Sequence, residues 1–216
     1  MTQNKEDYLN IIYKLGGEKN LVSNKDISQQ LHIASASVTE MLTKLSKEGL
    51  ITYTPYKGSQ LTDYGLQSCI QVVRSHRLWE VFLMRHLGYS WSEAHEDAHL
   101  LEHIAPARLI NRLDQFLNYP AYCPHGSVIP TADGNTADPT VVPLSQLHEG
   151  DYSHFRRVTE EPALLDYLES MGFSMNDAFT VTQIAPYEGP ITLSLEDGRS
   201  ISISYKAACK VFVNPA

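Results

Sequence analysis

The sequence lacks the features that would place it in a membrane or among secreted, disulfide-rich proteins. No run of about 18 apolar residues occurs in the 216-residue chain, and residues 1–7 have neither the basic nor the apolar region of a signal peptide. The three cysteines, Cys69, Cys123 and Cys209, are odd in number and far apart, which argues against a disulfide framework. Because 43% of the residues are hydrophobic, the chain can bury a core. We therefore expect a soluble, cytoplasmic protein.

Sequence signatures of nucleotide binding and of serine hydrolysis are also missing. The chain contains no P-loop, no G-x-G-x-x-G and no G-x-S-x-G. The sequence therefore gives no support to a nucleotide-dependent enzyme or a serine hydrolase.

The net charge of −8 is unevenly distributed along the chain. Residues 1–71 carry seven basic and seven acidic side chains, whereas residues 127–216 carry five basic and twelve acidic ones. The acidity therefore belongs mainly to the last third, and the first third can still approach a phosphate backbone.

The pattern of residues 1–71 predicts three helices followed by a hairpin. Apolar residues recur at helical spacing from Lys5 to Leu15, a short helix follows Ser23, and a third helix is capped by Ser35 or Ser37. In a helix-turn-helix the last of these helices enters the major groove. The candidate DNA contacts are polar or small residues of this helix and of the hairpin: Ser35, Ala36, Ser37, Thr39, Glu40, Lys44, Tyr56 and Lys57. An ordinary three-helix subdomain without a DNA role is the alternative.

The rest of the chain is predicted to be helical first and then mostly β. Helices are expected from Thr62 to His86, from Ser92 to Ile104 and from Ala107 to Leu117. After a stretch rich in proline and glycine come a helix around Pro162–Met171 and four alternating segments, 179–184, 191–195, 200–205 and 211–213, which suggest a small β-barrel. We predict domains at 1–71, 72–126 and 144–216, with a linker at 127–143.

Six of the nine histidines lie between His76 and His125, and several share a predicted helix face with carboxylates. His76 and Glu80 are four residues apart. On the predicted helix to Ile104, one face carries His95, His99, Glu102 and His103. Cys123 and His125 add a thiol and another imidazole on a loop. Mixed nitrogen and oxygen ligands suit Mn, Fe, Co or Zn, and a thiolate favours the softer ions. A single helical histidine is more often structural, but a cluster of this size favours metal binding.

One short motif points to a different chemistry. Residues 95–99 match H-E-x-x-H, in which two histidines bind zinc and the glutamate is the general base of a peptidase. The extension found in metzincins needs Gly at position 102 and His at position 105, where this chain has Glu102 and Ala105. We therefore keep a zinc metallopeptidase using His95, Glu96 and His99 as an alternative, and expect no enzyme.

Taken together, several segments resemble the diphtheria toxin repressor family of metal-dependent transcriptional regulators, in particular its manganese-responsive branch from streptococci, enterococci and related bacteria. The segments are KEDYL (5–9), SVTEM (37–41), LTDYG (61–65), HRLWEVFL (76–83), LEH (101–103) and CPHG (123–126). The resemblance covers nearly the whole chain. It implies a mainly α fold with small β parts: a winged helix-turn-helix, a helical dimerisation and metal-binding domain, and a C-terminal SH3-like domain.

The resemblance also implies a function. In such repressors a metal-loaded homodimer binds a palindromic operator in double-stranded DNA and silences genes for metal uptake. Mn²⁺ is the implied ion, with Fe²⁺, Co²⁺ or Zn²⁺ as alternatives and two or more ions per subunit. A transcription factor that senses an organic ligand without metal is a further alternative, and no membrane partner is expected.

Metal ligands carry over position by position. One site would use Asp7, His99, Glu102 and His103, with His76 close by; a second would use Glu80, Cys123, His125 and Glu160. His95 matches an ancillary ligand of the iron-responsive branch, and the assignment of His76 and His95 between the sites stays open. Two positions depart from the pattern. His99 stands where the manganese branch usually has Glu, so discrimination between Mn²⁺ and softer ions is in question, and Glu160 stands where Asp is common.

Overall fold

The computed structural model describes residues 2–134 and 140–215. Residues 135–139, which include Pro139 of the predicted linker, lie outside the described residues, as do Met1 and Ala216. The described residues form two compact units. The N-terminal unit contains residues 2–76, 101–106 and 130–134, and the C-terminal unit contains residues 77–100, 107–129 and 140–215.

The first part of the chain folds as three helices and a hairpin, as its periodicity predicts. The elements are α1 (Gln3–Lys14), α2 (Asn24–Leu31), α3 (Ser35–Lys47), β1 (Ile51–Thr54) and β2 (Gly58–Leu61), followed by the long helix α4 (Asp63–Leu87). The strands are antiparallel, with Ile51 opposite Leu61. One buried apolar cluster joins α1, α2, α3, the hairpin and the start of α4, with Leu9, Ile27 and Leu42 at its centre.

Local interactions set the boundaries of these helices. The Ser23 hydroxyl accepts a hydrogen bond from the Asp26 backbone N–H and caps α2. At α3 the prediction of a serine cap is wrong, because Ala34 is the N-cap and Ser35 is already helical; its hydroxyl lies 3.4 Å from Ser28 Oγ. Gly65 lets α4 begin against the hairpin, since a Cβ there would lie 1.8 Å from the Leu50 carbonyl oxygen.

Helix α5 (Trp91–Leu101) begins and ends differently from the prediction. Ser90, and not Ser92, caps it: Glu93 N–H donates to Ser90 Oγ (3.3 Å) and Ser90 N–H donates to Glu93 Oε2 (2.9 Å). The helix ends at Leu101 instead of Ile104, so Glu102 and His103 lie in the turn that follows. Pro106 explains the early end, because its ring would clash with the carbonyl of residue 102 in a continuing helix. Helix α6 (Ala107–Phe116) follows.

The C-terminal part of the chain contains a six-stranded antiparallel sheet. Its elements are β3 (Val142–Pro143), a short 3-10 helix (Leu144–Gln146), β4 (Tyr152–Val158), α7 (Pro162–Ser170), β5 (Ala178–Ile184), β6 (Ile191–Leu195), β7 (Ser200–Ile203), α8 (Tyr205–Ala208) and β8 (Val211–Val213). The strand order is β3-β8-β4-β5-β6-β7. Phe155 and Phe179 stack at the centre of its core, with ring centroids 4.5 Å apart.

Sequence periodicity missed strand β4 of this sheet and placed the end of strand β7 too late. Strand β4 alternates weakly between apolar and polar residues for two reasons. One inward position is Ser153, a buried polar residue whose hydroxyl donates to the Asn214 carbonyl (2.8 Å). In addition, a bulge interrupts the strand between Phe155 and Arg157. Strand β7 ends at Ile203, short of the predicted Tyr205, because Ser204 caps α8 by accepting from Ala207 N–H. Among the described residues, no helix combines the length and the apolar character needed to cross a bilayer.

Candidate metal centre and nucleic-acid interface

The N-terminal unit brings together ligand-type side chains from two distant parts of the chain. Asp7 lies on α1, and Glu102 and His103 lie in the turn after α5. We call these three residues the His103 group. His103 Nε2 lies 3.2 Å from Asp7 Oδ1 and 3.1 Å from Glu102 Oε1. All three ligand atoms lie within 4.8 Å of one another. The Glu102 side chain is fully buried, and those of His103 and Asp7 are 5% and 26% exposed.

The spacing within the His103 group fits a bound cation. In an octahedral site with metal–ligand distances of about 2.1–2.2 Å, neighbouring ligand atoms lie about 3.0–3.1 Å apart. The observed distances from His103 Nε2 to the two carboxylate oxygens match this value. Two carboxylate oxygens and an imidazole nitrogen are ligands that Mn²⁺ and Fe²⁺ accept.

Glu6, which the sequence pattern did not identify, orients the His103 ring. Its Oε2 lies 2.6 Å from His103 Nδ1. In the neutral tautomer that donates Nδ1–H to Glu6, His103 presents the lone pair of Nε2 to Asp7 and Glu102. This carboxylate–histidine arrangement orients metal-ligating histidines. Its sequence signal is weak, since Glu6 reads simply as an acidic residue in the first turn of α1.

The remaining predicted residues of this first site are His76 and His99. His76, on α4, is buried, and its Nδ1 lies 2.6 Å from Glu102 Oε2 within the N-terminal unit. His99 lies on α5, three residues before Glu102 in the chain. His76 therefore contacts a member of the His103 group, next to the first predicted site.

The C-terminal unit contains a second set of ligand-type residues. Glu80 lies on α4, Cys123 and His125 lie on a loop, and Glu160 lies two residues after the end of β4. We call these four residues the Glu80 group, and one ligand atom of each lies within 4.8 Å of every other. Glu80 Oε1 lies 3.1 Å from His125 Nδ1, and both side chains are fully buried. A buried set of two carboxylates, an imidazole and a thiol is suited to a divalent cation with some soft character.

Backbone contacts hold the loop of the Glu80 group in place. Gly126 N–H donates to the Cys123 carbonyl (3.0 Å), and Val158 N–H of β4 donates to the His125 carbonyl (3.0 Å). Gly126 has φ +82°, and a Cβ there would lie 1.8 Å from the Arg156 carbonyl oxygen, so the close approach of the loop to β4 requires glycine. On the same loop, the Ser127 hydroxyl donates to Glu160 Oε1 (3.4 Å), a contact that the sequence did not suggest.

Charge and burial set the protonation of the Glu80 group. Burial opposes the charged form of His125, but Glu80 and Cys123 together outweigh burial and hold the pKa of His125 well above its usual value. Burial, together with Glu80, raises the pKa of the Cys123 thiol. A cation bound by this thiol would therefore have to displace its proton.

His95 lies beside the Glu80 group, with its Nδ1 3.0 Å from Glu80 Oε1. One ligand atom each from Glu80, His95 and Glu160 lies within 4.8 Å of the others. Glu80 Oε1 therefore faces two imidazoles. The H-E-x-x-H segment lies on α5, where its first histidine contacts a carboxylate of a different helix.

The predicted DNA contacts all lie on the surface. Ser35, Ala36, Ser37, Thr39, Glu40, Lys44, Tyr56 and Lys57 are exposed, while Val38 and Leu42 on the opposite side of α3 are buried. Glu40 Oε1 pairs with Lys44 Nζ (2.7 Å), and the Lys44 hydrogen bond lowers the pKa of Glu40. Thr39 Oγ1 accepts from Asn24 of α2 (3.0 Å). Tyr56, at the hairpin tip, projects fully into solvent with φ +65°.

Family models match nearly the whole chain. Residues 1–59 match the model described as the iron dependent repressor N-terminal DNA binding domain, residues 62–131 match the iron dependent repressor metal binding and dimerisation domain, and residues 142–215 match the FeoA domain. The predicted fold class is confirmed: a winged helix-turn-helix, a helical dimerisation domain and an SH3-like β domain.

Known proteins agree with these matches. An uncharacterized HTH-type transcriptional regulator of Methanocaldococcus jannaschii is 33% identical over 118 residues, which are 54% of this chain and 94% of that protein. Among solved structures, a manganese-dependent transcriptional repressor in complex with manganese is 31% identical with a TM-score of 0.89 over 98% of this chain and 100% of that chain. ScaR with bound Cd²⁺ is 35% identical with a TM-score of 0.84 over 99% of this chain and 100% of that chain.

These similarities confirm the resemblance seen in the sequence, since relatives above 30% identity are matched over their full length. The chain belongs to the iron-dependent, or diphtheria toxin, repressor family of metal-dependent transcriptional regulators, in its manganese-responsive branch.

Proposed function

We infer that this protein is a metal-dependent transcriptional repressor that controls genes for metal-ion uptake and homeostasis. The observation that carries this inference is the convergence of Asp7 from the helix-turn-helix with Glu102 and His103 from the metal-binding domain. A ligand set shared between the DNA-reading helices and the rest of the chain makes DNA binding depend on a cation.

The carboxylates of the His103 group explain that dependence. Glu6, Asp7 and Glu102 surround one imidazole, so α1 and the turn after α5 carry more negative than positive charge where they meet. A divalent cation bound there would supply the missing positive charge. When the cation balances the charge, Asp7 holds α1 at a fixed position, and α3 is held with it because the two helices share one core. Without the cation, the carboxylates repel one another.

We propose Mn²⁺ as the ion, with Fe²⁺, Co²⁺ and Zn²⁺ as competitors, and two or more ions per subunit. His99 is proposed as a further ligand of the His103 group, because it lies in the last turn of α5, three residues before Glu102 in the chain. An imidazole in place of a carboxylate removes a hard oxygen and one negative charge, and so weakens the preference for Mn²⁺ over Zn²⁺. We assign Glu80, Cys123, His125 and Glu160 to a second ion. His95 lies beside this second site, and His76 contacts Glu102 of the first site.

We propose that a homodimer reads double-stranded DNA with a palindromic operator. The exposed side of α3 would enter the major groove, so that Ser35, Ala36, Ser37, Thr39, Glu40 and Lys44 face base edges and phosphates, and Tyr56 and Lys57 of the hairpin reach the backbone. Half-sites one helical turn apart require the two copies of α3 to lie about 34–36 Å apart. We also propose domains at 1–71, 72–126 and 144–216 with a linker at 127–143, and a cytoplasmic location.

Two other readings make different predictions. A zinc metallopeptidase would need Glu96 as general base beside a zinc ion held by His95 and His99, yet His95 contacts Glu80, which has no part in that mechanism. A metal-independent, ligand-sensing regulator would bind DNA equally well in a chelator. We propose that the protein is not an enzyme.

The experiment is selection of bound duplexes from a random DNA library with Mn²⁺, followed by gel-shift titration of the selected duplex. We expect binding with Mn²⁺, loss of binding in excess chelator, and recovery on adding Mn²⁺ back. Titrations with Fe²⁺, Co²⁺ and Zn²⁺ under anaerobic conditions rank the ions. Binding that is unchanged in chelator would contradict the proposal, as would cleavage of a peptide library by the Zn²⁺-loaded protein but not by Glu96→Gln.

A further inference from the structure

A cavity of about 190 Å³ lies in the C-terminal unit, between the loop of Gly126 and side chains of β4. We call it the Arg156 cavity. It is lined by Tyr122, Cys123, Gly126, Val141, Arg156, Arg157, Met175, Asn176 and Asn214. The space is large enough for several waters and suits a small organic or inorganic molecule.

The charge of this lining is opposite to that of its surroundings. The protein has a net charge of −8, and residues 127–216 carry twelve acidic side chains against five basic ones. Among the described residues that line the Arg156 cavity there are two arginines and neither Asp nor Glu. The cavity is therefore a local positive site in an acidic domain, and a concave site of one sign concentrates counter-ions of the other.

Arg156 is fixed by neutral partners. Its Nε donates to Asn214 Oδ1 and its Nη1 donates to Asn176 Oδ1, both at 2.9 Å. A guanidinium has five N–H donors, and these two bonds leave Nη2 unused. Because both acceptors are amide oxygens, the bonds orient the guanidinium without neutralising its charge. An oriented guanidinium of this kind binds the planar or tetrahedral oxygens of carboxylate and phosphate.

The second arginine and the apolar wall complete the site. The Arg157 guanidinium lies over the ring of Phe212, with Cζ 4.7 Å from the ring centroid, so its position is restricted by a cation–π contact. Val141, Met175 and Tyr122 give the cavity an apolar side. A ligand that matches both sides is a compact anion with a short carbon skeleton or a phosphate of similar size.

We propose that the Arg156 cavity binds a small free oxyanion, either an organic carboxylate or a phosphate. The site is separate from the metal ligands in its chemistry, since it presents donors and positive charge where the Glu80 group presents carboxylates. Cys123 belongs to both the cavity lining and the Glu80 group. The proposal does not depend on the function inferred above, and it is tested on the metal-free full-length chain.

The test is isothermal titration calorimetry in a chloride buffer with inorganic phosphate, succinate and the neutral analogue succinamide. We expect saturable binding of phosphate, succinate or both, with one site per chain, and none of succinamide. Binding of phosphate alone identifies a phosphate site, and binding of succinate alone identifies a carboxylate site. Arg156→Gln should weaken binding about tenfold or more, since it removes a charge-assisted contact. Lys206→Gln, an exposed change on α8 that removes the same charge, should bind like wild type.

Chemical shifts of backbone amides in the wild-type chain give a readout that does not require the variant to fold. On titration with the bound anion, we expect changes centred on Gly126, Asn176 and Asn214. Absence of saturable binding of both anions up to about 50 mM would overturn the proposal. It would also be overturned by equal affinity for succinamide, by equal affinity in folded Arg156→Gln, or by shift changes located elsewhere.

Discussion

The two ligand groups differ in their sources, their burial and their chemistry. The His103 group combines α1 with a turn more than 90 residues later, its Asp7 side chain is 26% exposed, and its ligands are oxygens and an imidazole. The Glu80 group lies within the C-terminal unit, Glu80 and His125 are fully buried, and it includes the Cys123 thiol. A partly exposed site of hard ligands, one of them on a DNA-reading helix, is suited to sensing. A buried site with a thiol is suited to holding one arrangement of loop and strand.

The largest expected effect comes from breaking the His103 group at its N-terminal member. Asp7→Ala removes the ligand that α1 contributes, so metal-stimulated binding to the selected operator should fall by about 100-fold or more. This loss exceeds the one expected when a residue that only hydrogen-bonds to a metal ligand is changed. The free energy of unfolding in chelator should change by less than about 1 kcal/mol, because Asp7 is partly exposed. Gel-shift titration and thermal melting measure the two quantities.

A matched control for this variant is Glu18→Ala, which removes a carboxylate that lies on the loop after α1 and pairs with the neighbouring Lys19. It should bind the operator as wild type does. Wild-type repression by Asp7→Ala would contradict the link between the His103 group and DNA binding.

The second prediction separates the two groups by counting ions. Glu80→Gln keeps the shape of the side chain and removes the charge that faces His95 and His125. The number of Mn²⁺ ions bound per chain should fall by one, while the His103 group keeps its ion. Equilibrium dialysis with metal analysis gives the count, and Glu188→Gln, on an exposed turn, should leave it unchanged. An unchanged count in Glu80→Gln would remove the Glu80 group as an ion site.

A smaller effect is expected from the residue that orients His103. Glu6→Gln retains an acceptor for His103 Nδ1–H but loses the charge, so the affinity of the His103 group for Mn²⁺ should fall about tenfold, as for other carboxylates that orient ligating histidines. Competition with a metal indicator measures the affinity. Glu48→Gln, whose carboxylate binds Lys5, is the matched control. Equal losses in both variants would assign the effect to general surface charge.

The smallest expected effect concerns metal choice. His99→Glu restores a hard oxygen ligand, so the ratio of the half-saturating concentrations for Zn²⁺ and Mn²⁺ in the gel-shift titration should move towards Mn²⁺ by roughly three- to tenfold. His148→Glu, at an 88% exposed side chain, adds the same charge and should not change the ratio. A ratio that is unchanged in His99→Glu would mean that His99 does not bind the ion.

Much of the fold followed from short-range patterns. The helices α1 to α4 and α6 were predicted because their apolar residues repeat at helical spacing and because Gly49 and Gly88 follow α3 and α4. Strand β4 was missed because its inward-facing position 153 is a polar serine. Ser153 is buried there because its hydroxyl donates to the carbonyl of Asn214, a residue distant in the chain. The caps at Ser90 and Ala34 were missed because several serines in each segment compete for the same position.

The candidate sites show the same division. Spacing along α4 and α5, and the C-P-H-G loop, predicted which residue types gather around an ion. Periodicity extended α5 through Glu102 and His103, yet both lie in the turn beyond Leu101, and this allows His103 to face Asp7. Glu6 and Ser127 gave no signal, because their roles depend on a neighbour 97 residues away for Glu6 and 33 residues away for Ser127.

The sequence alone determined the family, the order of helices and strands, and the residue types able to bind a divalent cation, since these depend on local propensity and on motifs. Tertiary structure decided which oxygen faces which nitrogen, which acid orients His103, and that two arginines line a cavity in an acidic domain. Those properties depend on atoms within about 3 Å that are far apart in the chain, and only packing of the folded chain brings such atoms together.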